Sequence, residues 1–153
     1  LHSFPTRRSS DLERYKMYVC DTGLFVTLAF MDKDFTENSI YTKLLSDKLS
    51  TNLGYVYENV IAQMLKANGK ELYYHTIPYH EGKKFYEVDF VLADQFKISP
   101  IEVKSSGYKT HASLDAFCNK YSDRIQNRYL IYTKDLQKEQ QLLFVPIYMT
   151  MFL

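Results

Sequence analysis

Glu58, Asp89, Glu102 and Lys104 are the residues of this sequence whose types and spacing could do chemistry together. Asp89 lies in Glu87-Val88-Asp89-Phe90, and the last two lie in Ile101-Glu102-Val103-Lys104. Magnesium and manganese prefer hard oxygen ligands, and two carboxylates from adjacent strands leave coordination positions for water and phosphate oxygens. Such an ion acidifies its water and offsets the negative charge that develops as a phosphodiester is hydrolysed; a nearby ammonium stabilises the same charge. The sequence therefore points to Asp89, Glu102 and Lys104 as catalytic residues. It points to Glu58, Asp89, Glu102 and the backbone carbonyl of Val103 as ligands for Mg²⁺ or Mn²⁺.

A helix and three strands must position these groups. Successive strand side chains alternate faces, so Glu102 and Lys104 project together while Ile101 and Val103 turn into apolar packing. Residues 71–77, 83–93 and 97–105 read as three strands joined through His80-Glu81-Gly82 and Asp94-Gln95, an antiparallel meander. In the middle strand, strict alternation puts Phe85, Glu87, Asp89 and Val91 on one face and Tyr86, Val88, Phe90 and Leu92 on the other. Asp89 is thus expected on the side away from the main apolar layer. The helix over 54–67 carries Val56, Tyr57, Val60, Ile61, Met64 and Leu65 as a stripe opposite Asn59, Gln63 and Lys66. At about 100° per residue Glu58 falls beside Leu65, at the border of that stripe, from which it can reach a cleft. Asn68-Gly69 ends the helix.

Residues 15–20 are aromatic and β-branched enough for a short strand, after which Asp21 or Thr22 caps an apolar helix over 24–31. Tyr41, Leu44, Leu45 and Leu49 recur at helical spacing up to Ser50. Downstream, Ser113 is expected to N-cap a helix carrying Leu114, Phe117, Cys118 and Tyr121, and a strand follows over 128–133. The apolar tail over 142–153, with Pro146 inside it, reads as a final edge strand and cap to the core.

At 153 residues, 46% hydrophobic and 16% aromatic, the chain has enough apolar material for one domain with a real core. Nineteen basic against eighteen acidic residues give a net charge of +1, which excludes the strong positive field of a domain that grips DNA unaided. Lys120, Arg124, Arg128, Lys134 and Lys138 are diluted by Asp123, Asp135 and Glu139 and read as a solvated face. Cys20 and Cys118 cannot build a disulfide framework, and neither a signal peptide nor an apolar run of about 18 residues occurs. A cytoplasmic setting without a membrane partner is expected. His2, His75, His80 and His111 lack zinc spacing, and the absence of G-x-x-x-x-G-K-[ST] predicts no ATP site of that kind in these residues.

Ser3-Phe4-Pro5-Thr6-Arg7-Arg8-Ser9-Ser10-Asp11-Leu12 resembles a translated sequencing adapter, so 1–12 is set aside as non-native. The residues from Glu13 onward are expected to be the C-terminal part of a longer protein. They divide into a strand and helical extension over 13–53 and a core over 54–153.

Taken singly, a strand acid is usually solvated or salt-bridged. Together, Gly54-Tyr55-Val56-Tyr57-Glu58-Asn59, Glu87-Val88-Asp89-Phe90-Val91-Leu92, Ile101-Glu102-Val103-Lys104-Ser105 and Ser113-Leu114-x-x-Phe117 resemble the restriction-endonuclease-like PD-(D/E)XK superfamily. With Tyr18-Val19-Cys20-Asp21-Thr22-Gly23-Leu24 and Val145-Pro146-Ile147-Tyr148, the chain is more narrowly similar to the domain of unknown function DUF4143, which follows the ATPase module in many prokaryotic AAA-type ATP-binding proteins. The resemblance implies an α/β fold with a restriction-endonuclease-like αβββαβ core, a mixed sheet flanked by helices. It places Asp89, Glu102 and Lys104 in catalytic positions with Glu58 as accessory acid, and an N-terminal AAA-type ATPase module as partner; nucleic acid, DNA ahead of RNA, is the expected substrate. Val88 stands where the superfamily motif has its first proline, a position that only shapes the backbone. Near-zero net charge and abundant Tyr and Phe motivate a rival expectation, a catalytically silent fold serving the ATPase as a binding, regulatory or oligomerisation module.

Overall fold

The computed structural model describes residues 15–30, 54–79 and 84–153. In chain order these form α1 (Thr22–Phe30), α2 (Gly54–Ala67), β1 (Tyr73–Pro78), β2 (Phe85–Asp94), β3 (Lys97–Val103), α3 (Ala112–Lys120), β4 (Arg128–Tyr132), β5 (Gln137–Glu139) and β6 (Leu142–Pro146). Short 3₁₀ turns span Ser122–Arg124 and Ile147–Phe152. The strands make one mixed sheet in the order β1-β2-β3-β4-β6-β5. The first three form the antiparallel meander that the alternating pattern predicts. Parallel neighbours need a crossover, and α3 supplies it between β3 and β4. β6 then pairs parallel to β4.

Consecutive rather than alternating burial of Leu130, Ile131 and Tyr132 marks a sheet covered on both faces. On one face Ile61, Ala62 and Leu65 of α2 pack against Phe90, Ile101, Val103, Ile131 and Val145. On the other, Leu114 and Cys118 of α3 pack against Leu130, Tyr132 and Phe144. Among the described residues no helix is long and apolar enough to cross a membrane.

Four expectations change. Residues 15–20 form no strand: their backbone meets a side chain instead of a sheet edge. Buried Asn59 on α2 accepts from the Val19 amide (2.8 Å) and donates to the Val19 carbonyl (3.0 Å) and to Thr22 Oγ1 (2.9 Å), so one carboxamide does the work of a ladder rung. Asp21 then caps α1 by accepting from the Leu24 amide at 3.0 Å. A Cβ on Gly23 would meet that Asp21 carboxylate at 3.1 Å, so the cap favours glycine there.

Second, the N-cap of α3 is His111, two residues before the expected Ser113, and the helix begins at Ala112. Third, β6 is an interior strand. The edge on that side is β5, whose Gln137, Lys138 and Glu139 are all exposed, polar side chains that discourage pairing with another strand. The residues after Pro146 turn into the final 3₁₀ turn and pack on α2.

Fourth, strict alternation fails within β2. Tyr73 pairs with Val91 but His75 pairs with Val88, so Asp89 and Phe90 together oppose Tyr74, a β-bulge. Val88 lies opposite His75, whose ring packs on Phe117 and Tyr121 at the α3 side, whereas Phe90 joins the α2 cluster. Asp89 therefore lies on the α2 side, within the larger apolar layer rather than away from it. The helix expected up to Ser50 and the turn at His80-Glu81-Gly82 fall outside the described residues.

Replacing Asn59 with Ala removes three bonds and strips Val19 of its partner. This is expected to cost about 2–3 kcal/mol in urea unfolding and to speed tryptic cleavage after Lys16. Unchanged stability and cleavage would contradict the docking role of Asn59.

Candidate functional site

The bulge, α2 and the segment before α1 bring four charged side chains to one point. Lys16 Nζ stands 2.6 Å from Glu87 Oε1, 3.2 Å from Glu58 Oε2 and 3.2 Å from Asp89 Oδ1. An ammonium has three N–H donors and no acceptor, so three carboxylates satisfy it completely. Glu58 reaches this point from the border of the α2 stripe, as its helical phase predicts. Glu87 sits on the rim, 47% exposed, while the Asp89 side chain is only 13% exposed.

The β2–β3 ladder ends at Phe90↔Ile101, and beyond it the strands part. The Val103 amide then donates to Asp89 Oδ2 at 2.8 Å. One Asp89 oxygen thus faces Lys16 and the other holds β3. On the far side of that peptide, Glu102 and Lys104 pair at 2.7 Å, as their shared strand face predicts. The second Glu102 oxygen accepts from the Leu114 amide at 3.2 Å. No side chain of the cap residue serves that end of α3, so Glu102 fills the role from the sheet, where an anion is favoured. Val103 is the hinge between two charge clusters: Lys16 with Glu58, Glu87 and Asp89, and Lys104 with Glu102.

Burial dominates the electrostatics of the acids. It pushes the Asp89 carboxyl above the usual range against the pull of Lys16 and the Val103 amide. Burial, helped by Asp89, does the same to Glu58. Burial also raises Glu102, with Lys104 and the Leu114 amide opposing. Lys16 shows the reverse balance: burial alone would lower it, and Asp89, Tyr18, Glu87 and Glu58 more than reverse that, so it stays protonated. The two directions agree physically. One ammonium shared among three carboxylates is over-compensated, while each acid is under-compensated, and the pocket keeps an excess of negative charge.

Oxygen donors around a seated cation are the chemistry a hard ion requires, and in that sense the residues fit a divalent metal. The oxygens stand at ammonium distances, however, wider than the shell of about 2.1 Å that magnesium demands. Among the described residues no group of three or more His, Cys, Asp or Glu side chains is already set for a metal ion. The acids would have to draw inward. Beside them the Tyr18 hydroxyl oxygen is buried and has no hydrogen-bond partner among the described residues. Tyr18 borders a cavity of about 10 Å³ also lined by Lys16, Tyr74 and Asp89, space for one water.

Lys16, Glu87 and Asn59 are the residues that sequence reasoning left out of the site. Lys16 is separated from Glu58 by 42 positions and from Asp89 by 73, so no local spacing announces it. Asn59 and Gln63 carried a faint signal as an i, i+4 polar pair beside Glu58; the Gln63 side chain meets Thr22 Oγ1 at 2.8 Å.

A family model described as a domain of unknown function, DUF4143, matches residues 53–150, more than half of the chain, and the chain belongs to that family. A search of the curated proteins found no match.

The raised carboxyls fix the sign of a pH dependence. The folded state binds protons at Asp89, Glu58 and Glu102 more tightly than the unfolded chain does. The stability they contribute is therefore complete below their ordinary values of about 4 and is lost as pH rises through the raised ones. The melting temperature should fall as pH climbs from about 4 into the weakly acidic range, and fall less in Asp89→Asn. Calorimetric melts of both proteins across that interval check it; a steeper fall in Asp89→Asn would contradict it.

Proposed function

We propose that this DUF4143 chain is a nuclease-like hydrolase of phosphodiester bonds in nucleic acid, dependent on magnesium or manganese. Asp89, Glu102 and Lys104 are its catalytic residues and Glu58 its accessory acid. The observation that carries this reading is the meeting at Val103. Asp89 holds its amide, Glu102 precedes it, Lys104 follows it, and Glu58 joins Asp89 through one ammonium. The PD-(D/E)XK likeness of the motifs adds support from outside the geometry.

Glu58, Asp89 and Glu102, with the Val103 carbonyl, would hold the divalent ion, which supplies an acidified water and neutralises phosphate charge when bound. The chain's own residues do the rest. The Val103 amide orients one oxygen of Asp89, and the amide at the start of α3 orients one oxygen of Glu102. Lys104 is oriented by Glu102 yet 30% exposed, within reach of an approaching phosphate oxygen. The excess negative charge repels a bare phosphate, which makes a cation a condition for substrate approach. An upstream AAA-type ATPase module, DNA ahead of RNA as substrate and a cytoplasmic setting belong to the same proposal.

One observation favours the rival reading. Both Glu102 oxygens are engaged and Lys16 fills the cation position, so the acids could serve folding alone and the domain act as a silent binding, regulatory or oligomerisation module.

Incubating the full chain with Mg²⁺ or Mn²⁺ and mixed DNA and RNA separates the two. Cleavage should appear, and Asp89→Asn and Lys104→Ala should each slow it by about 100-fold or more, measured well below the melting temperature of each variant. No cleavage, or cleavage indifferent to Asp89→Asn, contradicts the enzyme. Tight self-association or docking to an ATPase module in sedimentation would then identify the silent module.

A further inference from the structure

We propose that Lys16 is a resident cation of the acidic pocket, one that a divalent ion must displace before the site can act. The inference rests on the metal-dependent reading above and deepens it by naming what controls access to the same oxygens.

The geometry carries it. All three donors of the Lys16 ammonium have carboxylate partners, one each from Glu58, Glu87 and Asp89. No donor remains for a phosphate oxygen, so in this arrangement Lys16 serves the pocket and not a substrate. A divalent ion bound by Glu58 and Asp89 would draw the same oxygens to about 2.1 Å and stand almost on top of Nζ. Two cations that close, sharing the same ligands in a partly buried site, repel strongly. Occupancy is therefore exclusive. The exchange is also favourable in charge, because three carboxylates around one ammonium leave an excess of two negative charges, and a dication leaves one.

The mounting of Lys16 suits a gate. Its backbone lies in the segment that Asn59 grips at Val19 and that Asp21 ends by capping α1. Those anchors stay in place while the four-carbon side chain swings outward past the Tyr74 ring, 5.9 Å from Nζ. Lys16 also lies outside the matched residues 53–150, so the device is contributed by the preceding segment to a site built within the family domain.

Two measurements on the full chain test this. In calorimetric titrations with Mn²⁺, Lys16→Met, which keeps the apolar stem and removes the charge, should bind about tenfold more tightly or better. Lys16→Arg should bind no more tightly than the native chain. In the native chain, saturating Mn²⁺ should raise the rate at which an amine-directed reagent modifies Lys16, read by mass spectrometry; this arm holds even where Lys16→Met fails to fold. Equal or weaker Mn²⁺ binding in Lys16→Met, or a modification rate unmoved by bound Mn²⁺, overturns the gate and leaves the metal reading standing. Mn²⁺ binding to neither the native chain nor Lys16→Met removes the metal reading, and the gate with it.

Discussion

One ammonium shared among three carboxylates is the electrostatic centre around which the site is arranged. It ties the segment before α1 to the sheet through Glu87 and Asp89 and to α2 through Glu58. Burying unlike charges together stabilises only when each is well partnered, and truncating one partner of such a set leaves the others exposed to their full desolvation cost. Lys16 is fully partnered; the acids are not. That imbalance explains why the carboxyls titrate high while the lysine stays protonated, and it makes the pocket receptive to more positive charge.

The backbone prepares the imbalance. A bulge brings Asp89 and Phe90 to the same face of β2, so the acid sits beside the apolar cluster it would otherwise have avoided. The end of the β2–β3 ladder leaves the Val103 amide for that acid to take. Backbone donors left over in a sheet are costly unless satisfied, and a carboxylate satisfies this one with a charge-assisted bond. Strand divergence, bulge and the Asp89 acceptor therefore act together: the parting strands free the Val103 amide and the bulge turns Asp89 to meet it.

How much of this was legible in the sequence follows from how local each feature is. The phase of Glu58 on α2, the shared face of Glu102 and Lys104, and the antiparallel meander depend on periodicities a few residues long, and they appear as expected. The bulge depends on which β1 residues lie opposite β2, and strict alternation misplaced Phe90 for that reason. The interior position of β6 depends on β5 taking the edge, a choice that three exposed residues do not announce. Residues 15–20 look like a strand because they are aromatic and β-branched, yet Asn59 of a helix takes both backbone bonds of Val19. Lys16 and Glu87 entered the site only in three dimensions.

On the proposed reading, Lys16 holds the place of a metal ion among these oxygens. Anomalous scattering from crystals of the full chain soaked in Mn²⁺ tests it most directly. One strong peak is expected within coordination distance of Asp89 and Glu58, with the Lys16 side chain turned away. A peak elsewhere, or no peak with Lys16 still seated among its three acids, would contradict it.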